Sequence, residues 1–459
     1  MTLKTTANFA SSKDIALTNN SSLDVIGTLT ASGVISGAHT LNKNTNTGTL
    51  ILAGENSSGA TNLTISVGTV QVAADAHIPG GTLRLNGGKF LSTGATSAKN
   101  LTMVLDSYIG SSGTLTYSGT ITDAASAKTL TVSDGIVVLN QDNSGKTYTN
   151  LTVASGATLS ISDATHLTGG TLTLTSGTLK TAGDFASDKA INLTGNSSLD
   201  VTGTLTASGV ISGATHTLEK RSAGTLILAN TGNSGVATNL TISAGTVSVQ
   251  APSKLPGGTL TMSGGTLLAA GAGTFEPHSV VMSAGSTFDV ANAVRLDKVV
   301  SGSGLLTKTG AAALTLGVSN THTGGITVNA GSLALANNHA AGTGTITLAT
   351  DTALIGNTSS GAYTNPITLT GNATLTATQG FTASGDITGA YNLTINDGGS
   401  GNTVTLSGSN TYTGTTTLGD SVTLNIGNSA SISPAALIMG DGTTLKLAGG
   451  VTLPCGIQF

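Results

Sequence analysis

Sugar cleavage and most acid–base hydrolysis need two carboxylates, or a carboxylate beside Arg or Lys, held on one face. The chain has few residues of these types. Asp24 and Asp200 end matching Ser-Ser-Leu-Asp phrases, and no pair of acids in the rest of the chain answers to them. The most charged window in the middle of the chain, Asp289–Arg295–Asp297–Lys298, reads as a solvated loop. The seven histidines, His39, His77, His166, His216, His278, His322 and His339, are scattered, with no HExxH or paired ligand spacing. His39 and His216 occupy equivalent places in a repeat, which a regular surface explains better than a metal does. Residues 396–402 (NDGGSGN) and 440–444 (GDGTT) have the texture of calcium-binding turns. Calcium-binding solenoids, however, carry an Asp in every short repeat, and these acids are isolated, so plain turns are expected. Cys455 is the single cysteine, which excludes an intrachain disulfide and argues against a cysteine-ligated metal.

Gly419-Asp420-Ser421 matches the start of a serine-protease nucleophile motif, but Val422 stands where the motif requires Gly, and a positioned His and Asp would still be needed. The glycine-rich phrases lack the Lys-Ser/Thr ending and following helix of a phosphate loop. Ice binding would require Thr to recur at every coil of one flat face, whereas the polar positions read as a mixture of Thr, Ser, Asn and Lys. The expectation is therefore no catalytic, cofactor-binding or metal-binding residue, no cofactor, no small-molecule substrate and no enzymatic activity. A net charge of −4 over 459 residues leaves no basic footprint for nucleic acid.

The elements that would position such residues are short and repeated. Charged side chains make up 8% of the chain, aromatics 3%, and 64 residues are glycine. With 38% hydrophobic residues the chain can still bury surface, mainly through Val, Ile, Leu and Ala. Runs such as TLILA, TLRLNGG and TLTLTSGTL alternate apolar with polar residues, the period of a β-strand. Gly, Asn, Ser and Asp punctuate them with turns. The only helix signal is a few residues around Pro434-Ala435-Ala436. GTLTASGVISGA occurs at 27–38 and again, letter for letter, at 203–214. Half the distance between the copies divides residues 15–454 into five units, near 15–102, 103–190, 191–278, 279–366 and 367–454, after a lead at 1–14 and before a tail at 455–459. Near-copies suit a parallel solenoid, in which every coil meets an equivalent neighbour, better than a sandwich. Roughly 22 residues per coil predicts four coils per unit, about 20 in all and a column on the order of 100 Å, with the phrase at 203–214 in the same place as its twin, eight coils further along. Aliphatic residues are expected inside and Thr, Ser and Asn outside.

Residues 306–335 (LTKTGAAALTLGVSNTHTGGITVNAGSLAL) have counterparts starting at Leu41, Leu218 and Thr403, the faintest version falling at Leu130–Ile161. The shared skeleton is Leu, often Lys, a glycine turn, TLxL, a Ser/Asn/Gly stretch and a closing strand. It resembles the passenger-associated repeat of Gram-negative autotransporters. The resemblance implies a right-handed parallel β-helix, export through an outer-membrane β-barrel as translocating partner, and a place on the cell surface or in the medium. It further implies adhesion, host interaction or self-association as the task of a rigid column.

The start of the chain lacks a secretory signal's apolar core with basic flank. Seven Phe and six Tyr are too few for the aromatic girdles of a membrane barrel. The chain thus reads as a passenger fragment or the product of a split gene. The alternatives are a parallel β-helix polysaccharide lyase or glycosidase, and a spacer for an absent tip domain.

Overall fold

The computed structural model describes residues 1–459 except 58, 95, 124–127, 143–149, 168–169, 276–278, 359–360 and 400. The expectation for His278, and parts of those for 130–161 and 396–402, lie outside the described residues. The chain is an all-β parallel solenoid of about 22 turns. Contacts divide it into two compact units, Met1–Thr225 and Leu226–Phe459.

In the first unit, strands Thr2–Thr5, Ser21–Val25, Thr40–Thr45, Asn62–Ile65, Leu83–Asn86, Leu101–Leu105 and Ile121–Asp123 form one ladder in chain order. Each strand pairs in parallel with its counterpart one coil later. Side chains alternate across them, so Leu41, Leu63, Leu83, Leu101 and Ile121 stack inside, each at most 1% exposed. A second ladder runs through Thr28–Ala31, Thr49–Leu52, Thr69–Val72 and Lys89–Ser92 into the eleven-residue strand Ser107–Tyr117. There the ladder shifts register against Thr129–Leu139.

The repeated phrase folds the same way twice. Thr28–Ala31 and Thr204–Ala207 show the same alternation of half-exposed and buried residues, and Ile35–Ser36 matches Ile211–Ser212. The two copies do not occupy the same place, contrary to the expectation from period. Leu29 stacks in turn on Leu50, Val70, Phe90, Ile109, Val132, Val153, Leu174 and Leu193. Eight coils thus end at Leu193, short of the twin residue Leu205 by the whole of strand Ser197–Val201. The cause is coil length. The steps from Leu29 to Leu193 are shorter on average than the spacing assumed from the sequence, so the span between the twin phrases is not a whole number of turns.

In the second unit one ladder joins Thr246–Val249, Thr266–Ala269, Ser286–Val290, Leu306–Thr309, Ile326–Val328, Ile346–Leu348, Ile367–Leu369 and Ile387–Thr388. Its outward position is Thr at eight successive rungs, from Thr246 through Thr266, Thr287, Thr307, Thr327, Thr347 and Thr368 to Thr388. The sequence reading of mixed polar positions is corrected here, because strand register sorts onto one line threonines that look irregular along the chain. A second ladder contains another eleven-residue strand, Ala373–Ala383. Beside it Tyr363 packs on Phe381 with ring centroids 5.0 Å apart. Pro434-Ala435-Ala436 forms a bend, not a helix; Pro434 follows buried Ser433 and leads directly into strand Leu437–Met439.

Candidate functional site

Three strands of the repeat carry Leu-x-Lys: Leu41-Asn42-Lys43, Leu218-Glu219-Lys220 and Leu306-Thr307-Lys308. Alternation places Lys on the same face as Leu, and in all three strands that face is the interior. Lys43, Lys220 and Lys308 are each 0% exposed. The sequence reading put Lys among outward polar residues; the i, i+2 relation to a core Leu is the signal that identifies it as inward.

A buried ammonium must find acceptors, and backbone carbonyls at the following turn provide them. Lys43 Nζ donates to the carbonyls of Thr45 (2.9 Å), Asn46 (2.7 Å) and, one coil on, Val67 (2.9 Å). Lys308 Nζ donates likewise to Thr309 (2.8 Å), Gly310 (2.7 Å) and, one coil on, Ala330 (3.0 Å). Lys220 Nζ donates to Arg221 and Ser222, both at 2.7 Å. The second carbonyl in each set belongs to a residue of positive φ: Asn46 (59°), Ser222 (61°) and Gly310 (75°). At this left-handed step the strand ends and the chain bends toward the next strand, with the carbonyl turned inward to the lysine.

Each lysine also lies opposite the phrase that contains an aspartate. Lys43 pairs with Leu23, Lys220 with Leu199 and Lys308 with Phe288, so Asp24, Asp200 and Asp289 each follow the residue beneath the lysine. Asp289 is therefore the third equivalent of Asp24 and Asp200. The sequence reading missed this because Ser-Thr-Phe-Asp-Val disguises Ser-Ser-Leu-Asp-Val. Asp24 accepts from the Asn46 side-chain amide, and Asp200 from the Ser222 hydroxyl, so each tethers the residue that makes the turn. The Asn46 hydrogen bond is the main cause that holds the Asp24 carboxyl below its usual range, while Lys4, 3.6 Å away, adds to it. Burial lowers the pKa of all three lysines, to about 8 at Lys220 and Lys308; the nearby Asp24, Asp200 and Asp289 oppose the shift.

Twelve or thirteen positions after the lysine comes a buried asparagine: Asn56, Asn233 and Asn320. It joins the coils on either side. Asn56 Oδ1 accepts from Ile35 N–H (2.6 Å), while its amide donates to the His77 carbonyl (2.9 Å). Asn320 accepts from Val300 N–H (2.7 Å) and donates to Ala340 (2.5 Å). Asn233 donates to the Lys254 carbonyl (3.0 Å). Asn410 bridges Ile387 N–H and the Ser431 carbonyl, both at 2.7 Å.

The Asn410 copy has no lysine. Ile395 occupies that place above Leu375, and Thr376 replaces the aspartate. Its turn is rebuilt: Asp397 accepts from Gly399 N–H (2.7 Å) and Gly401 N–H (2.6 Å), and the Asn402 amide donates to the carbonyls of Ala377 (3.1 Å) and Asp397 (2.9 Å). In residues 396–402 the carboxylate thus binds backbone amides.

The remaining candidate residues are dispersed. Arg295 pairs with Asp297 (2.7 Å), while Asp289 belongs with Lys308. Asp420 Oδ1 accepts from Asp441 N–H (3.0 Å), and Ser421 N–H donates to the Asp441 carbonyl, so both Gly-Asp phrases form stacked turns. His322 is buried and its Nε2 donates to the Gly304 carbonyl (2.6 Å). His77 lies 3.8 Å from Glu55. His166 is held below its usual pKa by burial, opposed by Asp163. His39 and His216 are half-buried and His339 is exposed. Charges do meet at Asp200, Glu219 and Arg221, where Arg221 pairs with Glu219 (2.6 Å) and sits in register with Asp200. Among the described residues no three His, Cys, Asp or Glu converge as a metal site.

In comparison with known families, the passenger-associated-transport-repeat matches residues 218–249, 306–335 and 400–420, stretches that contain Lys220 and Asn233, Lys308 and Asn320, and Asn410. Residues from Leu41, outside those stretches, build the same lysine and asparagine geometry at Lys43 and Asn56. No curated protein and no solved structure matches the chain.

Proposed function

From the premise that the chain carries passenger-associated-transport repeats in a parallel β-solenoid, we propose that it works at the bacterial surface or in the medium as an autotransporter passenger. In this reading the solenoid wall acts as a stiff scaffold for attachment to host cells or to other copies. The observation that carries the proposal is the coincidence of the repeat with the fold's own fastenings: each matched stretch contains a buried asparagine whose amide donates to the next coil. A wall fastened by backbone and side-chain hydrogen bonds needs no disulfide or metal to persist outside the cell.

Two experiments test this. Antibody against the chain should label intact cells of the source bacterium, and protease added outside should remove the label. Labelling only after lysis would refute surface display. For attachment, the purified chain should bind cultured host cells, or scatter light through self-association; neither signal would leave a spacer. An enzymatic reading draws on the meeting of Asp200, Glu219 and Arg221. Release of reducing or unsaturated sugars from a polysaccharide panel, lost in Asp200→Asn, would establish a lyase or glycosidase instead.

A further inference from the structure

The apolar pattern of this chain defines coil register only loosely. Inward residues are mainly Leu, Ile and Val, and Thr is the commonest outward residue, so a slip of two positions along a strand restores the same alternation. The coils themselves vary: in the first unit the step from Phe90 onto Ile109 is followed by a distinctly longer one, from Ile109 onto Val132. Something other than hydrophobic burial must select one alignment from several that bury similar surface.

We propose that the buried lysines, with their opposing aspartates, are register keys: Lys43, Lys220 and Lys308 make each coil stack in one alignment and penalise the neighbouring ones. Lys43 and Lys308 each hold carbonyls from two successive coils, the second being Val67 or Ala330. A two-residue slip moves that carbonyl by about 6.7 Å, beyond the reach of a donor whose stem is already packed in the core. The slip would strand an ammonium with no water to replace the lost acceptor. An Ile or Leu at the same position would merely exchange one aliphatic neighbour for another. The fourth copy behaves as the proposal requires, because Lys and Asp are replaced together, by Ile395 and Thr376, and the turn then carries its own polar fastening through Asp397 and Asn402.

Engineered disulfides read register directly. In a Cys455→Ser background, Thr307→Cys with Thr327→Cys joins residues that are paired in the native register across the two coils that Lys308 ties through Ala330, and Thr309→Cys with Thr327→Cys joins residues paired after a two-residue slip. Under mild oxidation the first pair should close at least tenfold more completely than the second. Adding Lys308→Met should raise closure of the slipped pair to within about threefold of the native pair, with earlier amide exchange in strands Leu306–Thr309 and Ile326–Val328. If Lys308→Met fails to fold, Asp289→Thr with Lys308→Ile, the combination the fourth copy uses, replaces it with the same expectation. A tenfold preference for the native pair in either folded variant would overturn the proposal and leave the lysine as a local filler of its turn.

Discussion

Asn320 is one side chain holding three coils: it accepts from Val300 N–H and donates to the Ala340 carbonyl, all in the core. Asn320→Ala leaves two buried backbone groups without partners, so a loss of about 2–4 kcal/mol is expected, measured by urea unfolding of the whole chain. Lys220 and Lys308 set a pH dependence of the same sense as a salt-bridged acid, but displaced to alkaline pH. Their pKa falls from 10.5 to about 8 on folding through burial. Between about pH 8 and 10.5 the unfolded chain therefore holds more protons, and the stability these sites contribute rises with pH. Below that window the contribution is flat. The advantage of the wild type over the Lys220→Met, Lys308→Met double variant should grow across it; a shrinking advantage would mean that the carbonyl acceptors outweigh burial. The lysine could be seen in the sequence as a member of the motif. Its inward side could be read from alternation with the core Leu, but its acceptors could not, because they are carbonyls, which every residue carries.

At the scale of the coil, glycine permits close stacking. A Cβ on Gly33 would run into the Lys13 carbonyl oxygen, and one on its twin Gly209 into that of Lys189. Both obstacles are backbone, which cannot rotate away. Gly33→Ala and Gly209→Ala should each cost roughly 1–3 kcal/mol, and by similar amounts, since the two copies share local structure although their strands lie in different ladders. Unequal denaturation midpoints for the two variants would show that surroundings beyond the neighbouring coil matter. The strands themselves were readable from alternation: Thr28–Ala31, Thr49–Leu52 and Thr225–Leu228 all fall on TLxL or TLTA phrases. The eleven-residue strands Ser107–Tyr117 and Ala373–Ala383 were not, because Gly-Ser-Ser-Gly and Gln-Gly look like turns until a neighbouring coil straightens them.

Across the molecule, stability is a sum of neighbouring coils. Asn320→Ala should therefore speed amide exchange in the coils around Val300–Gly302 and Ile326–Val328 and leave the strands Thr28–Ala31 and Thr49–Leu52 unchanged. Uniform acceleration over both units would show that the chain unfolds as one cooperative body. With Cys455 as the single cysteine, reductant should not alter any midpoint.

By itself the sequence determined the class of fold, the strand and turn alphabet, and the likeness to passenger-associated repeats, because period-two alternation and repetition are properties of the chain alone. Tertiary structure decided what repetition cannot express. The length of a coil is set by how strands and turns stack, and it separated two identical phrases into different ladders. Register then aligned eight threonines, gave Asp289 its place beside Lys308, and brought to Lys43 and Lys308 a carbonyl of the following coil, Val67 or Ala330, that only the winding of the chain places within reach.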